Sequence, residues 1–126
     1  MGEAFRLGGW GMYPTALVGL VLVAAAVQYA RHADARRFRL VRHLSVLTFL
    51  VASLGFITGV TRSFLGASEA DPHELGNAVV GGVGESLHNL GLGLVMLVTA
   101  WIAASIGAYR AGATSREAEL TDPHGP

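Results

Sequence analysis

The sequence predicts an all-α membrane protein with three transmembrane helices, its N-terminus outside and its C-terminus cytoplasmic. Two observations carry this. Three apolar stretches, at about 14–30, 44–64 and 82–109, are each long enough to cross a hydrocarbon core of ~30 Å. The arginines then orient them. Arg31, Arg36, Arg37, Arg39 and Arg42 crowd the first connection. The second connection carries Glu69, Asp71 and Glu74 and no basic residue. Cytoplasmic loops collect positive charge, so the first connection is inside and the acidic one outside. Arg110 and Arg116 near the C-terminus agree. A multi-pass protein of a bacterial inner membrane is expected, in contact with membrane lipid.

Residues 1–13 read as an outer interfacial segment, with Trp10 and Tyr13 as an aromatic belt. Helix 1 is expected over 14–31, since Pro14 suits a first helical position, where no N–H is needed. Residues 32–42 form a short basic cytoplasmic loop, too small for a domain. Helix 2 follows over 43–65. Its hydroxyls, Ser45, Thr48, Ser53, Thr58, Thr61 and Ser63, are cheap in a span because each can return to the carbonyl one turn back. Gly55 and Gly59, four apart, mark a helix-packing face. Residues 66–71 are an acidic outer loop. Asp71, Pro72 and Glu74 are spaced as N-cap, first residue and capping-box partner of a long helix over 72–110 that contains the third span. Gly112 is its expected stop, and 111–126 reads as a flexible cytoplasmic tail.

The third span opens on the chemistry. Glu85, His88 and Asn89 stand at i, i+3 and i+4, on one face of a helix. An ionisable side chain at membrane depth is costly and marks a functional-site candidate. Burial raises the pKa of a carboxyl, which lets it exchange a proton near neutrality. His88 stands one turn away. Two registers compete. A span over 82–101 buries Glu85, and a span over 90–109 leaves it at the outer interface. Gly91 and Gly93, like Gly55 and Gly59, suit close helix contacts. Three helices shield little polar surface, so a homo-oligomer or a partner helix is expected.

Several classes are excluded or disfavoured by composition. Formal charge is zero at pH 7, which argues against nucleic acid. There is no cysteine, hence no disulfide framework or thiolate chemistry. No phosphate loop, metal-spaced cluster or nucleophile with a base is present, so no enzyme activity, cofactor or metal is expected.

Three segments in order resemble the MotA/TolQ/ExbB proton-channel family, on its TolQ/ExbB side. Gly8-Gly9-Trp10-Gly11-Met12-Tyr13-Pro14 before an apolar helix is similar to the family's first span. The run from Leu54 to Phe64, with paired Gly55 and Gly59, is similar to the second. Gly82-Val83-Gly84-Glu85-Ser86-Leu87 followed by Gly91 and Gly93 is similar to the third. The resemblance implies a ring, usually a pentamer, around a single-span ExbD/TolR-like partner. It also implies that proton-motive force is turned into movement, as in a stator. Glu85 takes the place of the family's glutamate. His88, Asn89, Ser86, Thr58 and Thr61 are the candidates to complete a proton path. Two departures stand out. The large cytoplasmic region is reduced to about a dozen residues. The two threonines of the family's ion path are replaced by Phe56 and Leu90. These departures keep open a non-conducting oligomeric scaffold. A haem-binding anchor using His43 and His88 is a weaker alternative, because helix rise separates the two by about 20 Å along the membrane normal.

Overall fold

The computed structural model describes residues 12–68 and 71–122. Trp10, the glycine pair before it and Glu69 lie outside the described residues. Within them the chain is all-helical, with three helices long and apolar enough to cross a membrane. We number them α1 (Met12–Arg31), α2 (Ala35–Ser68) and α3 (Leu75–Thr121).

The faces of these helices are those of a membrane protein. What is buried is small or hydroxylated: on α2, Val41, Ser45, Thr48, Ala52 and Ala67. What is exposed is large and aliphatic, including Leu20, Leu50, Leu54, Ile57, Val95 and Ile102. In water such a surface would be one long apolar patch. In lipid it is the solvated face, and small residues let the backbones approach where van der Waals packing drives association.

Three helix ends differ from expectation, each for a local reason. The basic loop is only residues 32–34, and α2 begins at Ala35 instead of near residue 43. Asp34 starts it: its carbonyl accepts the Arg37 and Phe38 N–H groups at 3.0 and 3.1 Å, and its Oδ1 accepts the Arg36 N–H at 3.3 Å. Asp34 is thus a helix cap in the middle of an arginine run. At the start of α3 the Asp71 carbonyl accepts from Glu74 and Leu75 at 2.9 and 3.1 Å, so the turn opens at Asp71 and the regular helix at Leu75. At the far end Gly112 does not stop the helix, which runs on to Thr121. One interior glycine costs only about 1 kcal/mol. Ala113, Arg116, Glu117, Ala118 and Leu120 are good helix formers around it.

Glycines set the register. A Cβ at Gly93 would meet the Thr15 and Ala52 side chains, one at Gly19 would meet Met96, and one at Gly107 would meet Tyr29 and Ala30. So α1 and α3 run parallel. Gly55 faces Asn89, Gly59 faces Ser86, and Gly82 faces Ser63, so α2 is antiparallel to both. At the basic end Tyr29, Phe38 and Trp101 join the three helices, with ring centroids 5.4 and 6.4 Å apart. Beneath them Leu22, Ala26, Val41, Ala100 and Ala104 form an apolar core.

This register bears on the depth of Glu85. Ala30 lies level with Gly107 and next to the cationic belt of Arg31, Arg36 and Arg37. Glu85 is 22 residues from Gly107, about 33 Å along the helix axis. That is the thickness of the hydrocarbon core with a little to spare. A membrane whose edge lay at the belt would have Glu85 at its other edge, as in a span over 90–109.

Candidate functional site

The two four-spaced glycines of α2 create a slot for α3. Gly55 lies directly under the Asn89 amide, and Gly59 lies under the Ser86 hydroxyl; neither position has room for a Cβ. Ser86 and Asn89 are buried there, Asn89 at 2% exposure. The Asn89 Nδ2 donates to the Ala52 carbonyl at 3.5 Å, a long bond, and its Oδ1 has no partner. A buried acceptor left unpaired costs ~1–3 kcal/mol.

Ser86 and Asn89 belong to a longer polar series. Thr15, Ser45 and Thr48 are also buried, and Ser63 is half-buried. Taken by level along the bundle, Ser63, Ser86, Asn89, Thr15, Thr48 and Ser45 succeed one another about a turn apart. Ser45, Thr48, Ser63 and Ser86 each donate to their own helix, at 2.8 Å. Their lone pairs, with the Asn89 Oδ1, leave the thread rich in acceptors. It starts near the α2–α3 hairpin and runs along about two-thirds of the span, beside buried Met12, Ala52 and Leu22; among the described residues no buried polar side chain lies beyond Ser45, where the apolar core of Val41 and Ala104 takes over.

The remaining predicted residues lie outside this seam. Glu85 is exposed and lines a groove beside it, with Arg62 of α2 across a floor of Gly59, Gly66 and Gly82. Neither charge forms an ion pair among the described residues. Arg62 thus faces the groove that Glu85 lines. His88 is exposed on the next face of α3, its Nδ1–H donating to the Gly84 carbonyl at 2.9 Å. A carbonyl only accepts, so the proton is on Nδ1 and Nε2 points away from the helix. Thr58 and Thr61 face outward from α2 and donate to Leu54 and Ile57, at 2.8 and 2.9 Å. Gly93 packs between α1 and α2, whereas Gly84 and Gly91 have nothing within 4 Å.

The helix-face argument that grouped Glu85, His88 and Asn89 is divided by packing. Asn89 points into the seam, Glu85 to its edge and His88 away from it. Sequence reasoning missed Thr15. The signal was present: Thr15, Gly19, Leu22, Ala26 and Tyr29 alternate spacings of four and three, which marks a packing face on α1. Among the described residues no group of His, Asp and Glu could hold a metal ion. His43 and His88 are on different helices, near opposite ends of the span.

No protein-family model, curated protein or solved structure matches this chain significantly.

Proposed function

We infer that the chain is a TolQ/ExbB-like subunit of an inner-membrane proton channel or stator. It would work as a homo-oligomeric ring with a single-span ExbD/TolR-like partner, coupling proton-motive force to movement. The observation that supports this most is the position of Glu85. It is an exposed carboxylate with no ion pair among the described residues, about 33 Å along the helix from the level of the arginine belt, at the mouth of an acceptor-rich thread and beside the open Gly84. In this reading the carboxylate is where the polar path meets water. Because the path within one chain ends on an apolar core, passage across the rest of the membrane needs a second helix. The open face at Gly84 and Gly91 admits one closely.

A second reading has its own support. The exposed position of Glu85 and the apolar core beyond Ser45 also suit a ring that holds a partner and passes no ions. Proton flux into liposomes separates the two, for wild type and Glu85→Gln, each with and without the partner. Flux that needs the partner and is lost on Glu85→Gln supports conduction. Absence of flux from a well-formed ring with partner bound leaves the scaffold.

A further inference from the structure

The arginine run at the start of α2 does more than set orientation. Arg36, Arg39 and His43 follow at i, i+3 and i+7 along one face of the helix. With Gln28 and Arg37 they line a groove of about 590 Å³. His43 is shared with a second groove, of about 290 Å³, whose other walls are Arg42, Val46, Leu47 and Leu50. The two meet at His43: the first is cationic, and the second, beyond Arg42, is walled by Val46, Leu47 and Leu50.

The charges in the first groove are available. Arg37 is used, its guanidinium donating to the Gln28 carbonyl at 3.4 Å and closing one wall against α1. Asp34, the only acid in the segment, is turned to the backbone of Arg36. The guanidiniums of Arg36, Arg39 and Arg42 have no protein partner. The His43 Nδ1–H donates to the Arg39 carbonyl at 2.7 Å, which holds the ring and leaves Nε2 facing out. Unpaired guanidiniums present planar forks that match phosphate. Basic pockets between transmembrane helices are a known form of headgroup site.

We propose that these two grooves form one binding site for an anionic phospholipid. The phosphate lies against Arg36 and Arg39, and an acyl chain lies along Val46, Leu47 and Leu50. The apolar half decides between occupants. A free phosphate or an acidic peptide would answer the charge but would leave the lower groove without a function. From Arg39 to Leu50 the helix rises about 16 Å, close to one leaflet of a ~30 Å core. The site stands apart from Glu85 and from any conduction.

The test uses the full chain in nanodiscs, with phosphatidylglycerol against phosphatidylcholine and retention of lipid read by native mass spectrometry. Wild type is expected to retain phosphatidylglycerol at least tenfold over phosphatidylcholine. The pair Arg36→Gln with Arg39→Gln removes that preference. The pair Arg110→Gln with Arg116→Gln removes equal charge from the same end of the molecule and leaves it within twofold. Leu47→Trp, which fills the apolar groove, weakens phosphatidylglycerol retention at least fivefold while all charges remain. A helical melt by circular dichroism checks that each variant is folded; Arg37, which ties α2 to α1, stays intact. Equal loss from the two arginine pairs would overturn the site in favour of general surface charge. An unaffected Leu47→Trp, with lipid displaced by millimolar inorganic phosphate, would overturn it in favour of a free-anion site.

Discussion

Gly93→Ala and Gly91→Ala make the same change two residues apart on one helix, and the structure gives them opposite outcomes. A Cβ at Gly93 would lie 2.5 Å from the Ala52 Cβ and 3.5 Å from the Thr15 Cγ2. Ordinary carbon–carbon contact is ~3.5–4.0 Å. Helices α2 and α3 must therefore part by about 1 Å at the level where all three helices meet, an overpacking of ~1–3 kcal/mol. At Gly91 the same methyl meets nothing within 4 Å. Both variants gain the same helix preference for Ala over Gly, so it cancels in the comparison. Gly93→Ala should be less stable than Gly91→Ala by ~1–3 kcal/mol, a factor of about 5–150 in the unfolding equilibrium. The assay is unfolding of the purified chain in mixed micelles with rising dodecyl sulfate, followed by helical circular dichroism. Ala52→Gly on the Gly93→Ala background moves the methyl across the gap. It should recover at least 1 kcal/mol relative to the sum of the single changes, by double-mutant cycle. Equal stabilities within ~0.5 kcal/mol, with no coupling, would refute the register on which the account of Glu85 depends.

Other consequences follow from the same packing. Asn89→Ala should lose ~1–3 kcal/mol by leaving a void over Gly55, whereas Asn89→Leu, with the same number of side-chain heavy atoms and no unpaired acceptor, should lose less; chemical unfolding of the two in parallel checks this. Arg62→Gln and Glu85→Gln each remove an unpaired charge, so each should change stability by less than ~0.5 kcal/mol in the same assay. A loss above ~1 kcal/mol from either would mean that the charge is paired in the folded chain. Gly91→Leu leaves the monomer intact but blocks the open face of α3, so it should reduce assembly, read by native mass spectrometry, without lowering the melt. Truncation after Ala111 removes residues 112–126, of which the described ones, 112–122, are exposed, and should leave the thermal midpoint within about 2 °C, because surface segments contribute little.

Three helices were readable in the sequence because lipid demands long apolar runs with paired backbones, and no competing pattern has that length. Helix packing at Gly55 and Gly59 was readable too, since only small residues permit close backbones. Helix ends were less so. Asp34 was hidden as a cap because the arginines around it dominate the reading of residues 31–42. Gly112 looked like a stop because a C-terminal glycine signal is local, while the residues beyond it sustain the helix. At the candidate site the residue types were visible and their faces were not. A 100° step per residue puts Glu85, His88 and Asn89 on one side of an isolated helix. Only the position of the Gly55–Gly59 slot decides that Asn89 enters the seam and His88 leaves it. The depth of Glu85 was likewise open; the parallel contacts of α1 at Thr15, Gly19 and Ala30 fix its distance from the arginine belt.

That depth is the point on which the functional account turns, and the absence of native cysteine makes it directly measurable. Single cysteines at Glu85, Val95 and Arg39 would be placed in sealed, oriented vesicles and treated with a membrane-impermeant maleimide. Glu85→Cys should label from the hairpin side at a rate within about tenfold of a cysteine at Glu74. Val95→Cys should resist from both sides, and Arg39→Cys should label from the opposite side alone. A Glu85→Cys that resists as completely as Val95→Cys would place the carboxylate inside the hydrocarbon and contradict the register described here.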